Sequence, residues 1–375
     1  MVNQMVKKRE KVKIDPWSSL EVKDYSKLAS EFGIDSLKEV YKKIPLKHNY
    51  FERGIVFGHK GFETIVEAIK NKKPFAMLTG LMPSGKFHFG HKIVADLMVY
   101  FQKLGAECYI VSADVEAYLT RNISREEGKK IALEEYLVNY IALGLEARKT
   151  HFYFQSQGSK EYMNLSKFVA KKTTFNELRA VYGDITPEKI ISSFTQVADI
   201  LYPQLKENGG PKPVVVPVGV DQLPHINLTR DIAKRMKTEY NFVTPSATFN
   251  IMLPGLQGGK MSSSKQESYI ALTDSAKDAE HKIKKYAFSG GQATIEEHRK
   301  KGGNPEIDVS FQYLRIFFEP DDKKLNKIED DYRSGKLLTS ELKQILIDKM
   351  SAFLHEHQKK RELARKQVDK FLRKY

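Results

Sequence analysis

The sequence predicts an α/β fold: a doubly wound parallel sheet followed by a mainly helical C-terminal domain. Two patterns carry the first part of that expectation. Runs 75–79, 108–112, 151–155 and 214–218 are apolar and β-prone, and each leads into a turn or a helix. The stretches between them, such as 94–104 and 126–145, have helical spacing. Strands that alternate with helices build a parallel sheet wrapped on its faces. The third observation is a change of character after about residue 274, where 277–287, 340–354 and 362–372 all show helical spacing between short polar breaks.

Ahead of the sheet, residues 24–45 read as one or two short helices, with Leu28, Phe32, Ile34, Leu37, Val40 and Tyr41 as candidate core positions. Residues 54–58 read as a short strand between glycine breakers. The expected organisation is therefore a basic leader with a helical or hairpin appendage over 1–70, then a sheet domain over 71–273. That domain would include an insertion at about 120–210 and a glycine-hinged loop at 255–268. A helical domain would occupy 274–375.

Composition narrows the function classes. The chain has 375 residues, 41% hydrophobic and 29% charged, which fits a folded globular protein and excludes a disordered one. No run of about 18 apolar residues exists, so no membrane partner is expected. Lys7, Lys8, Arg9, Lys11 and Lys13 lack the apolar stretch of a secretory signal. Cys108 is the only cysteine, so neither an internal disulfide nor a thiolate zinc cluster can form, and a reducing, cytoplasmic home is expected. The formal charge of +15 makes a polyanion a plausible partner. Segment 356–375, with Lys359, Lys360, Arg361, Arg365, Lys366, Lys370, Arg373 and Lys374, reads first as a solvated helix face.

Ligands of doubly wound sheets sit beyond the carboxyl ends of the strands, so the residues just after each run matter most. The first run enters Thr79-Gly80-Leu81-Met82-Pro83-Ser84-Gly85-Lys86-Phe87-His88-Phe89-Gly90-His91. Gly80 to Lys86 has the spacing of a phosphate-binding P-loop, but Phe87 stands where that loop needs Ser or Thr for magnesium. His88-x-Gly90-His91 at a helix start is the better reading. The start of a helix offers unpaired N–H groups and a positive dipole end to a phosphate. Histidines three apart share one face of the first turn, so both can donate to phosphoryl oxygens. Gly90 removes a Cβ, letting a flat base approach the backbone. A second constellation is Gly258-Gly259-Lys260-Met261-Ser262-Ser263-Ser264-Lys265. A lysine and hydroxyls on such a loop can close over a triphosphate and neutralise departing pyrophosphate.

These two segments together resemble the paired signatures of class I aminoacyl-tRNA synthetases, which implies a Rossmann-like catalytic domain. Over most of the chain the resemblance is to tryptophanyl-tRNA synthetases of the archaeal and eukaryotic type. Asp15-Pro16-Trp17, Arg53-Gly54-Ile55-Val56-Phe57, Asn71-Lys72-Lys73-Pro74-Phe75, Ala287-Phe288-Ser289-Gly290-Gly291, Thr294 to Arg299, Gly302-Gly303-Asn304 and Asp308-Val309-Ser310-Phe311 carry it.

One departure concerns the side-chain pocket. Leu78 and Val111 stand where eukaryotic members place the Tyr and Gln that hold the indole N–H, and neither can accept a hydrogen bond. Gln196-Val197-Ala198-Asp199-Ile200-Leu201 and Val216 to Gln222 look like the bacterial family, whose Asp accepts from the indole. The resemblance thus implies that Asp199 reads the indole, beside Leu78. Glu116 and Gln196 would take the substrate ammonium group. Asp221 would hold ribose, Gln222 would lie near the ribose or the amino acid, and Gly219 would leave room for the sugar.

ATP would contact Gly80, Ser84, His88, Gly90, His91, Met261 and Lys265. Lys260 and the hydroxyls of Ser262, Ser263 and Ser264 would stabilise the leaving pyrophosphate. Mg²⁺ is expected with the nucleotide rather than on a protein site. The implied partners are tRNA(Trp), L-tryptophan, ATP and a second copy of the chain as a homodimer. The helical domain would read the anticodon, with Phe288, Arg299 and Asp308 as candidates. Tyrosyl-tRNA synthetase, the nearest relative, usually has a Tyr at the position of Leu78. A small-molecule adenylyltransferase or an inactive RNA-binding paralogue are the readings from other classes.

Overall fold

The computed structural model describes residues 25–259, 261 and 265–372. The basic leader, Asp15 to Trp17, the loop residues Lys260 and Ser262 to Ser264, and Arg373 to Tyr375 lie outside the described residues.

Seven strands form one sheet: β1 (Asp35–Ser36), β2 (Val56–Lys60), β3 (Ala76–Leu81), β4 (Glu107–Ser112), β5 (Thr150–Phe154), β6 (Val214–Gly219) and β7 (Ser246–Asn250). Their order is β1-β2-β7-β6-β3-β4-β5. The run from β7 to β5 is parallel, and β2 and β1 add antiparallel at the β7 edge. From β3 the chain steps outward through β4 to β5, then returns to the other side of β3 for β6 and β7. The connections therefore reverse between β3 and β6, and such a switch point opens a crevice at the strands' carboxyl ends. β4 and β6 read as continuous apolar runs because helices cover both faces of the sheet.

The helices that place the site are α1 (Phe89–Lys103), α2 (Asp114–Arg121), α3 (Lys160–Phe168), α4 (Pro187–Leu201), α5 (Leu223–Arg235), α6 (Ala276–Tyr286) and α7 (Thr339–Arg365). One apolar cluster runs from Phe89, Ile93 and Leu97 on α1 through Tyr313 to Leu346 and Met350 on α7. The sheet domain and the C-terminal helices thus share a core. On the other face, Leu78, Val111, Tyr153, Tyr162, Val197 and Ile226 form a second cluster. Among the described residues, no helix is long and apolar enough to cross a membrane.

Several sequence expectations change. Segments 340–354 and 362–372 read as separate helices, but the first runs on to Arg365 without a break. Its buried stripe continues past Leu354 through His357, Arg361 and Ala364, so polar side chains take core positions there. Segment 126–145 is interrupted by a π-helical turn at Ala132–Leu137. β7 is absent from the expected strands: it alternates polar with apolar residues but is buried on both faces, Ala247 and Phe249 on one and Ser246, Thr248 and Asn250 on the other. Phe32 and Val40 are half-buried, whereas Leu28, Ile34, Leu37 and Tyr41 are core.

Candidate functional site

β3 ends at Leu81, and the chain turns through Met82 to Phe87 before α1 begins. His88 is the N-cap of α1, with extended backbone, and its Nδ1 accepts the Gly90 N–H at 3.1 Å. The His91 Nδ1 reaches back to accept the His88 N–H at 3.2 Å. This reciprocal arrangement is a capping box made of two imidazoles. The rings stack with centroids 3.9 Å apart. Burial holds His88 down to about 4 and His91 well below the usual histidine range, so both stay neutral. A neutral imidazole that accepts at Nδ1 carries its proton at Nε2. The turn therefore presents paired Nε2–H donors at the positive end of a helix, a combination suited to phosphoryl oxygens.

The loop at 255–268 comes close to this turn. Leu256 N–H donates to Ser268 O at 2.9 Å, and Gly255 N–H to Gly259 O at 2.7 Å, closing the loop's base. A Cβ on Gly90 would stand 3.3 Å from the Met261 sulfur and 2.9 Å from His88 Cε1. Downstream, His88 pairs with Ala271 in an isolated antiparallel bridge. Lys265 is exposed. The rest of the proposed phosphate set, Lys260 and Ser262 to Ser264, falls outside the described residues; Met261 is the loop residue that lies beside Gly90.

A cavity of about 370 Å³ opens at the switch point. Leu78, Val111, Ile200, Val216, Pro217, Val218 and Ile226 give it apolar walls, and it shares Gly80, Leu81, Met82 and Val94 with the His88 junction. Its polar side chains are Thr79, Glu116, Arg121, Gln155, Gln196, Asp199, Gln222 and His225. Gln196 Nε2 lies 2.9 and 2.8 Å from the two oxygens of Glu116. Burial pushes the Glu116 carboxyl up, against the Gln196 amide and the charge of Arg121. At Gly219 an added Cβ would meet Asp221 Oδ1 at 2.5 Å. The Gln222 amide approaches the other Asp221 oxygen at 3.4 Å. Ser84 turns the chain, its carbonyl accepting from Tyr136 at 3.2 Å.

Asp199 is buried and already held by protein donors. Tyr162 Oη donates to Oδ1 at 2.7 Å, Tyr153 Oη approaches the same atom at 3.4 Å, and Gln155 Nε2 donates to Oδ2 at 2.8 Å. Burial still outweighs these bonds and pushes the carboxyl up to about 7. Tyr162 and Tyr153 carry no local signal in the sequence, because their place beside Asp199 depends on tertiary packing. Gln155 could have been found: it comes directly after β5, at a carboxyl end.

The C-terminal candidates separate. Asp308 has no exposure; it caps the helix Val309–Tyr313 and accepts from Gly290 N–H at 2.9 Å and Tyr332 Oη at 2.8 Å. With every acceptor turned inward it cannot read a base, which corrects the expectation for this residue. Arg299 is exposed, with Nη1 on the carbonyls of Gly335 (3.0 Å) and Lys336. Phe288 is 46% exposed and packs on Gly258, where a Cβ would meet its ring at 3.2 Å. The glycine-rich segments 287–291 and 302–304 interlock, since a Cβ on Gly290 would stand 2.0 Å from Asn304 O. Among the described residues, no group of three or more His, Cys, Asp or Glu could hold a metal ion.

The family model for class I tRNA synthetases (W and Y) matches residues 70–355. The tryptophan–tRNA ligase of Hyperthermus butylicus is 45% identical over 364 residues, covering 96% of this chain and 97% of that protein. Its counterpart in Methanocaldococcus jannaschii is 44% identical, covering 96% and 98%. The solved tryptophanyl-tRNA synthetase of Aeropyrum pernix K1 superposes with a TM-score of 0.90 at 44% identity, over 96% of this chain and 99% of that one. That of Giardia lamblia superposes at 0.85 with 27% identity, over 93% and 96%. With its imidazole cap at the first strand–helix junction and a carboxylate-bearing cavity at the switch point, the chain belongs to the class I tRNA synthetases, in their tryptophanyl branch.

Proposed function

We propose that this protein is a tryptophan–tRNA ligase that forms tryptophanyl-adenylate from L-tryptophan and ATP, then charges tRNA(Trp). The observation that carries the proposal is the cavity itself. A cavity with apolar walls, holding the acid–amide pair of Glu116 and Gln196 and the buried Asp199, adjoins the twin Nε2–H donors of His88 and His91. Asp199 would accept the indole N–H. A carboxylate offers about four acceptor positions, so it can receive a further donor beside its tyrosine and glutamine partners. Phenylalanine has no such donor, and a charged hydrogen bond is worth about 1.5–3 kcal/mol of discrimination. The tyrosine alternative loses ground because Leu78 and Val111 wall the cavity with hydrocarbon.

In this reading the tryptophan carboxylate attacks the α-phosphorus, forming the mixed anhydride and releasing pyrophosphate. His88 and His91 donate to the phosphoryl oxygens, and Lys260, the hydroxyls of Ser262 to Ser264 and Lys265 neutralise the leaving group. Positioning and charge carry the rate, with no side chain acting as nucleophile. The 2′-hydroxyl of the terminal tRNA adenosine then attacks the carbonyl carbon of the anhydride, forming the ester as the acyl–phosphate bond breaks; AMP leaves and the hydroxyl proton is lost with it. Gly80, Ser84, Gly90, Gly219, Asp221, Met261 and Gln222 would line the nucleotide. Mg²⁺ would arrive on the triphosphate, supplying charge neutralisation there. Residues 274–375 would read the anticodon, with Phe288 and Arg299 as the remaining candidates. A homodimer working in the cytoplasm completes the proposal.

Amino-acid-dependent ATP–pyrophosphate exchange, run over the twenty amino acids with the purified chain, tests it. Exchange should appear with tryptophan. Exchange with tyrosine alone would reject the substrate, and exchange with none would reject the enzyme.

A further inference from the structure

Phe87, the residue before the cap, is held on both sides of its backbone. Its N–H donates to Glu135 Oε1 at 2.9 Å, and its carbonyl accepts the Leu272 N–H at 2.9 Å. Glu135 lies on the π-helical turn Ala132–Leu137. Such a turn wedges an extra residue into a helix and re-aims side chains, and it recurs at functional sites. The next residue, Tyr136, donates to Ser84 O at 3.2 Å and sets its ring edge-on to His91, with centroids 5.2 Å apart. One turn thus braces the segment from Ser84 to His91 at two points.

The brace is itself gripped by the last long helix. Arg361 on α7 is buried; its Nη2 donates to Glu134 O at 3.2 Å and lies 3.4 Å from Glu135 Oε2. One helical turn earlier, His357 Nε2 meets Asn139 Oδ1 at 2.7 Å, and Asn139 donates to the Glu135 carbonyl. Gln358 donates to Asp274 O at 2.7 Å, close to where Ala271 and Leu272 pair with His88 and Phe87. Burying a guanidinium against a carboxylate carries a desolvation cost that an apolar side chain of similar length would avoid. The pair is therefore a poor device for stability alone, and its far end lands next to the phosphate-binding turn.

We propose that Arg361 is a positioning residue for amino-acid activation, fixing the aim of His88 and His91 through Glu135 and the Phe87 peptide. It touches no substrate. The inference rests on the adenylate-forming role given above, and it assigns to the C-terminal helix a part in the chemistry of the sheet domain.

Arg361→Met, Glu135→Ala and the double variant test it in tryptophan-dependent exchange. Each single change should lower kcat by between about tenfold and a hundredfold, the scale on which misplaced groups act. The KM for tryptophan should stay put, since neither residue lines the cavity. The double variant should be no worse than Glu135→Ala, and Arg361→Lys should recover part of the rate. The imidazole ¹H–¹⁵N signals of His88 and His91 should shift in Arg361→Met without any turnover. Unchanged kcat, losses that multiply, or unmoved imidazole signals would each overturn the proposal. If Arg361→Met does not fold, Glu135→Gln keeps an acceptor for Phe87 but weakens the pull on Arg361; a wild-type kcat there would equally overturn it. A wild-type chain without exchange would instead defeat the enzymatic reading, leaving the imidazole spectra to decide this one.

Discussion

His88 and His91 hold each other: the His88 N–H donates to the His91 ring, and the His88 ring in turn accepts from Gly90, with the imidazoles stacked 3.9 Å apart. The cap that starts α1 and the proposed pair of phosphate donors are therefore two faces of the same rings. Structure and catalysis can be separated there by choosing the substitution.

His88→Asn keeps an N-cap acceptor, because Asn is among the preferred capping residues. Its unfolding temperature should stay near wild type while exchange falls by about 10²–10³, the usual loss when a transition-state donor is removed. His88→Ala should add about 1 kcal/mol of lost stability from the missing cap. Thermal unfolding alongside exchange kinetics checks both, and full activity in the Asn variant would contradict the donor role.

The buried imidazoles predict acid sensitivity. His88 and His225 are held down to about 4 and His357 to about 3, each by burial. Unfolded histidines titrate near 6.5, so between about pH 6.5 and 4 the unfolded chain binds protons the folded chain refuses. These residues therefore remove stability as pH falls through that window. Asp199 acts in the opposite sense, because its folded carboxyl sits at about 7, above the 3.8 of an ordinary aspartic acid. As pH drops from 7 towards 4, the folded state gains a proton at Asp199. Asp199→Asn should thus lose stability more steeply than wild type on acidification, measured by urea unfolding at several pH values. A parallel pair of curves would contradict the buried, protonatable carboxyl.

The same residue predicts a kinetic profile. If ionised Asp199 accepts the indole N–H, kcat/KM for tryptophan should decline below about pH 7, where the free enzyme's carboxyl takes up its proton. Asp199→Asn should be slow throughout and lack that limb, with the KM for ATP little changed. An unchanged tryptophan KM in the variant would reject the assignment.

Gln196→Leu leaves the buried Glu116 without the amide that lies 2.9 and 2.8 Å from its oxygens. Removing the partner of a buried charge is strongly destabilising to whatever that charge supports. The KM for tryptophan should rise by at least about tenfold, matching the loss of one charged hydrogen bond. ATP binding, measured by calorimetry with a nonhydrolysable analogue, should be spared.

Gly290→Ala probes the interlocked glycines of the C-terminal domain. Its new Cβ would stand 2.0 Å from a backbone carbonyl that cannot swing aside. Overpacking of this kind costs about 1–3 kcal/mol. Thermal unfolding should register that loss while tryptophan activation per folded molecule is kept.

The sheet strands were legible because β3, β4, β5 and β6 are apolar runs stopped by turns, and periodicity reports such segments well. The His88 cap was legible for the same local reason: both histidines lie within one turn. What stayed hidden depends on distance along the chain. β7 carries Ser246, Thr248 and Asn250 into the core between Ala247 and Phe249, so no apolar run marks it. The grip of Tyr162 and Gln155 on Asp199 joins residues 37 and 44 positions apart. Asp308 resembles a base contact in the sequence because an acidic residue at a motif looks functional. Its actual work is to cap a helix and fasten Gly290 to Tyr332, which only the folded domain reveals.

The most direct test is a crystal structure of the chain with tryptophan and a nonhydrolysable ATP analogue. The Nε2 atoms of His88 and His91 and the ammonium of Lys260 should lie within hydrogen-bond reach of one triphosphate, with the indole nitrogen on Asp199. A triphosphate bound away from the α1 cap, or an indole outside the β3–β6 crevice, would contradict the proposed function.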